Sequence, residues 1–345
     1  MEYRPLGRTG LRVSALCLGT MTWGTQNTRD EAFEQMDCAL ERGINFLDAA
    51  EMYPTPYADE LHGRTEEIIG EWFKARGTRD KTVLASKALG PAQRFAHVRG
   101  GPRHTRDNLE RAVEDSLRRL GTETIDLYQL HWPERPANYF GKLGFDLTGD
   151  SQWTPLEDTL EALDAIQRTG KIAHVGVSNE TPWGVMRYLT LAEQGGGPRI
   201  ASIQNPYNLL NRSFEAGTAE IAIREDCGLL AYAPLAAGML TGKYLQGAEP
   251  ADARLTLYPQ NSRYRKEQGL KATQAYVDAA RRHGVDPAQM AIRYVVSRPF
   301  TTSAIIGATK MSQLTANIDA HDLTLPDELL RELEDIHRVH TYPCP

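Results

Sequence analysis

Cysteine is scarce: Cys17, Cys38, Cys227 and Cys344 are the four in 345 residues. No two form a C-x-x-C pair, so neither a disulfide framework nor a thiolate metal site is expected, and a reducing compartment, the cytoplasm, is the easier setting. Long apolar runs are missing too. The least polar stretch, 228–240, contains Pro234 and falls short of the ~18 residues that a membrane span needs. The run 13–18 follows Arg4, Arg8 and Arg12 as a signal peptide would, but it is short and leads into Gly19-Thr20-Met21-Thr22-Trp23-Gly24 without a cleavage pattern. Positive charge is not in excess, since Lys+Arg 39 against Asp+Glu 45 leaves −6. General attraction to nucleic acid or to an anionic membrane is thereby removed. No G-x-G-x-x-G occurs, which argues against an open dinucleotide-binding sheet. A Walker A loop is absent as well: three residues, not four, separate Gly238 from Gly242, and Tyr244 follows Lys243.

What is there repeats. Short apolar runs lie at 15–19, 44–48, 82–87, 125–131, 172–178, 201–204, 229–232 and 304–306. Amphipathic stretches follow them at 30–42, 65–76, 105–120, 155–169, 181–193, 213–226, 268–283 and 312–320. In the third of these, Leu109, Val113, Leu117 and Leu120 hold the helical period, with Thr105 at the N-cap and Gly121 as terminator. Eight strand–helix units in alternation predict a parallel sheet closed by right-handed crossovers, a (β/α)8 TIM barrel. The opening 3–13 reads as a hairpin, and 287–297 and 326–340 as two extra helices. No linker divides the chain, so 1–345 is expected to be one domain. The segment 133–153 is too long for an ordinary connection and reads as an active-site loop.

In such a barrel, chemistry sits at the C-terminal ends of the strands, and side-chain alternation decides what faces inward. Ile44, Phe46 and Asp48 share one face of the second strand; Val83, Ala85 and Lys87 share one of the third; Ile125, Leu127, Gln129 and His131 share one of the fourth. Tyr53 follows in the loop that leaves Asp48. Each residue alone has a plain structural use, as turn former, rim charge or core histidine. Together they place an acid, an ammonium, an imidazole and a phenol at three successive strand ends. A cation beside a phenol is expected to lower its pKa toward the working range, which suits Tyr53 to give a proton to an alkoxide formed by hydride transfer. Asp48 is then expected to pair with Lys87, and His131 to orient the substrate oxygen.

The strings Phe46-Leu47-Asp48-Ala49-Ala50-Glu51-Met52-Tyr53, Ala85-Ser86-Lys87 and Leu127-Tyr128-Gln129-Leu130-His131-Trp132-Pro133 resemble the catalytic tetrad regions of the aldo-keto reductases. The likeness runs from the hairpin to about Asn317. It implies reduction of aldehydes or ketones, a small carbonyl substrate, and NADPH/NADP+ stretched across the barrel mouth. Ser178, Asn179 and Gln204 match the residues that hold the nicotinamide carboxamide, and Tyr232 matches the aromatic stacked on that ring. Pro234, Leu235, Gly238 and Lys243 fall in the loop over the pyrophosphate, with one of Arg254, Arg263 or Arg265 as a further phosphate contact. Gly307 suits a tight turn that brings the N–H groups of a helix N-terminus to an anion, Thr309 and Lys310 fit a 2′-phosphate, and Gln313 and Asn317 face the adenine. Ser178-Asn179 also suits a helix cap before Thr181-Pro182. Trp23, Trp132, Tyr139, Phe140 and Trp153 are candidates to line an apolar substrate mouth.

Two other functions are weighed. The string Gly238-Met239-Leu240-Thr241-Gly242-Lys243-Tyr244 is similar to one in potassium-channel β subunits, which suggests an NADPH-binding partner protein with little turnover. A metal-dependent barrel hydrolase built on Asp48 and His131 would need denser ligands, and Lys87 opposes a dication, so no metal is expected. The oligomeric state is not legible.

Overall fold

A computed structural model describes residues 1–146, 152–259 and 263–345. The chain opens with an antiparallel hairpin, β1 (Tyr3–Pro5) and β2 (Arg12–Ser14). Eight parallel strands follow: β3 (Leu16–Gly19), β4 (Phe46–Asp48), β5 (Val83–Ala88), β6 (Ile125–Leu130), β7 (Ile172–Ser178), β8 (Ile200–Pro206), β9 (Leu229–Tyr232) and β10 (Thr301–Ile306). They pair in chain order, and β10 closes on β3, completing a (β/α)8 barrel.

The interior obeys the alternation read from the sequence. Phe46, Ala85, Leu127, Ala201, Leu230 and Ile305 meet inside the barrel, and Leu6 and Val13 of the hairpin join them. The hairpin therefore plugs one end, and chemistry is left to the other. Its turn presses so close that a Cβ on Gly7 would lie 2.5 Å from the Ala201 carbonyl oxygen, at a φ of +55°. The alternate residues, Leu47, Leu84 and Tyr128 among them, face outward into the main core beneath the helices. Complete burial of side chains of this size contributes about 1.5–3 kcal/mol each.

The helices are α1 (Arg29–Glu41), α2 (Arg64–Arg76), α3 (Arg106–Leu120), α4 (Leu156–Arg168), α5 (Pro182–Glu193), α6 (Thr218–Arg224), α7 (Arg254–Leu257), α8 (Glu267–Arg282), α9 (Pro287–Val296), α10 (Met311–Asp319) and α11 (Asp327–Val339). The two extra helices expected late in the chain are α9 and α11. Local chemistry explains several starts: Thr28 and Glu31 form a reciprocal capping box on α1, and Thr181 caps α5 ahead of Pro182. Thr105 does hold the N-cap position of α3, but its hydroxyl accepts no capping bond. The single helix expected over 213–226 is broken. A 3-10 turn at Ser213–Ala216 and α6 meet at Gly217, whose backbone (φ −165°) is not helical. Within 133–153 the described residues form no helix or strand, and 147–151 lie outside them.

Candidate active site

The three strand-end residues converge as their parity required. Asp48 ends β4, Lys87 sits near the end of β5, and His131 follows β6. Lys87 is fully buried; its Nζ donates to Asp48 Oδ2 at 2.6 Å and to the Ala49 carbonyl at 2.7 Å. The same ammonium lies 5.0 Å from the centroid of the Tyr53 ring, close enough for its charge to act on the phenol. Burial works against the Lys87 cation, but Asp48 and Tyr53 together more than offset it, so its pKa lies above the usual lysine value. Burial also governs Tyr53: its pKa is raised above the ordinary 10 despite Lys87. The expected fall toward neutrality is therefore not what the structure has, and the phenol keeps its proton. His131 stands edge-on to Tyr53, with ring centroids 5.9 Å apart. Burial, then the charges of Lys87 and Arg94, hold its pKa well below 6.5, so the imidazole is neutral. Its Nδ1 is buried without a hydrogen-bond partner.

A polar layer continues round the barrel rim. Asp48 Oδ1 accepts from Gln204 Nε2 at 2.8 Å and from Gln129 Nε2 at 3.3 Å. Ser178 Oγ donates to the Gln204 carbonyl, and Asn179 Nδ2 donates to the His131 carbonyl and to Ser178 Oγ. Tyr232 completes the chain by donating to Asn179 Oδ1 at 2.6 Å. All four residues expected at a nicotinamide thus come together, with the Asn179 amide engaged inside the protein.

The loops over this end are clamped by buried ion pairs that sequence reasoning missed. Both Glu51 oxygens accept from Arg99, at 2.6 and 2.9 Å, and one also takes the Leu89 N–H. Glu51 lies between Asp48 and Tyr53 in sequence, so the pair holds the loop carrying the phenol against the end of β5. Arg135 and Glu180 form a second pair, nearly closed to solvent, between the loops after β6 and β7. Gln129 was legible as inward-facing, two residues before His131. Nothing local announces that Arg99 comes back to Glu51.

Farther along the mouth, cations gather. Lys243 crosses Gly238: a Cβ there would lie 2.9 Å from Lys243 Cε, and φ is +91°. Burial lowers the Lys243 pKa, with Lys310 adding to the fall and Asp252 opposing it. Lys310 itself is bound to Asp252 at 2.5 Å, an exposed pair. Among the three arginines left open by the sequence, Arg265 is paired with Glu249 and donates to the Leu255 carbonyl. Arg263 donates to the Tyr264 hydroxyl and interacts with Tyr232. Arg254 is half-buried, has Met21 Sδ at 3.3 Å and makes no ion pair with any described residue. Burial pulls its pKa down, opposed only by tyrosines, Tyr53 first. At β10, Gly307 has no positive φ, so the turn does not require glycine. A Cβ there would meet only the Gly19 carbonyl oxygen, at 3.9 Å, which leaves open space before α10. Gln313 Oε1 accepts from the Thr309 N–H and hydroxyl, and Asn317 is buried with Nδ2 on the Gly307 carbonyl.

With this geometry goes a direct comparison: the model of the aldo/keto reductase family matches residues 15–338. The chain belongs to the aldo/keto reductase family. It is 51% identical to Protein tas of Escherichia coli (strain K12), over all of both chains. It is 34% identical to the "Uncharacterized oxidoreductase YrpG" of Bacillus subtilis, over 97% of this chain and 96% of that one. A "Probable voltage-gated potassium channel subunit beta" of Oryza sativa subsp. japonica is 30% identical, over 97% and 96%. As an aldo/keto reductase the chain is an oxidoreductase.

The substrate-mouth residues divide. Trp132, Tyr139 and Phe140 do gather beside Tyr53: Trp132 and Tyr139 share a cluster with it, and Phe140 stands 5.9 Å from Trp132 and 5.1 Å from Tyr139. Trp23 does not line the mouth. It is fully buried in the main core, with Nε1 donating to Gln35 of α1. Trp153 likewise packs against that main core rather than beside Tyr53. Among the described residues, no three metal-ligating side chains converge. No described helix is long and apolar enough to cross a membrane.

Proposed function

We propose that this aldo/keto reductase is NADPH-dependent and reduces aldehydes or ketones to alcohols, with Tyr53 as proton donor. One observation carries the reading: a buried, paired ammonium faces a protonated phenol beside a neutral imidazole at the end of the barrel. A bound reduced nicotinamide supplies hydride, which no side chain can. Asp48 keeps Lys87 charged, Lys87 stabilises negative charge growing on Tyr53 Oη, and Tyr53 gives its proton to the carbonyl oxygen. Neutral His131 is suited to donate a hydrogen bond to that same oxygen and fix its direction. Positioned acid catalysis of this kind is worth about 10²–10⁴-fold.

The residues present fit a dinucleotide. Arg254 and Arg263 both lack a described carboxylate, but Arg263 donates to the Tyr264 hydroxyl whereas Arg254 has only Met21 Sδ, so Arg254 is the one best suited to a phosphate. The open space at Gly307, before the N-terminus of α10, suits a second anion. Lys310 would hold a 2′-phosphate after leaving Asp252, at little cost because exposed pairs contribute about 0–1 kcal/mol. Ser178, Asn179 and Gln204 would hold a carboxamide, and Tyr232 would stack on its ring. The test is oxidation of NADPH in the presence of 4-nitrobenzaldehyde, with NADH as control. Turnover that prefers NADPH supports the reading. Tight NADPH binding without turnover would instead favour a partner protein of the kind that the rice relative's name describes.

A further inference from the structure

The aromatic wall beside Tyr53 ends at a cation that the proposed chemistry does not use. Trp132, Tyr139 and Phe140 lead directly to Gly141, where an added Cβ would sit 3.2 Å from the Pro345 backbone oxygen and 3.5 Å from Arg263 Cδ. The Arg263 guanidinium carbon lies 4.8 Å above the Tyr264 ring, and the group donates to the Tyr264 hydroxyl at 2.9 Å. It also interacts with Tyr232, whose hydroxyl is bonded to Asn179 beside His131. Arg263 thus stands beside Tyr232, at the nicotinamide end of the proposed cofactor path.

Among the described residues its charge is met by phenols and not by a carboxylate side chain. Arg263 is half-buried and forms no ion pair with any described residue, whereas Arg265 is paired with Glu249. A guanidinium has five N–H donors, and the Tyr264 hydroxyl does not exhaust them or neutralise it. Leaving such a charge partly desolvated is unfavourable unless an anion arrives. Planar, forked donors suit the oxygens of a carboxylate or phosphate better than a neutral hydroxyl.

We propose that Arg263 recognises an oxyanion on the substrate, so that the carbonyl compound reduced at Tyr53 carries a carboxylate or phosphate at the far end of an apolar or aromatic body. The inference rests on the reductase reading above and names its substrate class. Gly141, at φ +84°, permits the turn that brings the aromatic loop beside the Arg263 stem.

The experiment compares kcat/KM for 4-carboxybenzaldehyde, 4-formylphenyl phosphate and the neutral methyl 4-formylbenzoate in the wild type, Arg263→Gln and Arg263→Lys. Loss of a charge-assisted hydrogen bond is worth about 10- to 100-fold. The wild type is expected to favour at least one anion over the ester by about 10-fold or more. Arg263→Gln should abolish that ratio through KM, and Arg263→Lys should restore part of it; which anion is favoured separates carboxylate from phosphate. Equal rates for ester and both anions in the wild type, or a preference that survives Arg263→Gln, overturn the inference and leave the reductase reading standing. So does a loss of NADPH affinity in Arg263→Gln of about 10-fold or more, which would make Arg263 a cofactor ligand. No turnover with any aldehyde overturns both.

Discussion

Asp48→Asn takes the negative charge away from an ammonium that solvent does not reach. The replacement keeps the volume, so no cavity contributes. Asn also brings an N–H2 that must face either Lys87 Nζ or the amides of Gln129 and Gln204, all of them donors to Asp48 at present. Breaking one side of a buried ion pair costs about 3–5 kcal/mol. At ~2.1 cal/mol/K of unfolding entropy per residue, 345 residues give roughly 0.7 kcal/mol/K, so Tm should fall by about 4–7 °C. If Lys87 sheds its proton to relieve the cost, Tyr53 loses the cation that supports its ionising oxygen. Well below the Tm, kcat should then fall by at least about 10-fold, a part of what positioned acid catalysis supplies. Calorimetry with a pH–rate profile of NADPH oxidation reads both effects. A Tm within about 1 °C of the wild type, with kcat within about 3-fold, would refute the claim that Asp48 maintains the Lys87 charge.

Other consequences are open to measurement. Lys310→Ala should weaken NADPH by about 10-fold or more and NADH by much less; equal weakening would sink the 2′-phosphate assignment. Arg254→Met should raise the Kd of both dinucleotides by about 10- to 100-fold, and an unchanged Kd would return the choice to Arg263 or Arg265. His104 is buried with Nε2 unpartnered, and burial pushes its pKa down to about 4, against about 6.5 unfolded. Below pH 6.5 the unfolded chain binds the proton more readily, so stability should be full above about 6.5 and fall as pH drops toward about 4, by on the order of 3 kcal/mol. In His104→Leu the unfolding curves should lose part of that acid dependence; identical pH slopes would contradict the account.

Strand positions were legible, though ends such as Thr301 of β10 and Pro206 of β8 were not, because period-two alternation marks where an inward face must be apolar. That alternation alone puts Asp48, Lys87 and His131 on one rim. The break at Gly217 escaped, since a glycine inside an amphipathic pattern lowers helix propensity without saying where the chain turns. Trp23 was misplaced because a tryptophan after a strand end can face either the mouth or the helix layer. Gln35 of α1, twelve residues on, satisfies its N–H inside the core. The Tyr53 pKa went the other way from expectation because the sequence announces the neighbouring cation but not how completely water is removed. The pairs Glu51–Arg99 and Arg135–Glu180 join residues more than forty positions apart, and only the closed barrel brings them together.

The central claim is that Tyr53 protonates the reduced carbonyl, and Tyr53→Phe tests it most directly. The assay is steady-state oxidation of NADPH with 4-nitrobenzaldehyde, beside an NADPH binding titration to verify that the barrel and its cofactor cradle persist. The account predicts intact NADPH binding and a fall in kcat of at least about 10²-fold. Near-normal turnover in Tyr53→Phe would contradict it and assign the proton to another group at the same rim.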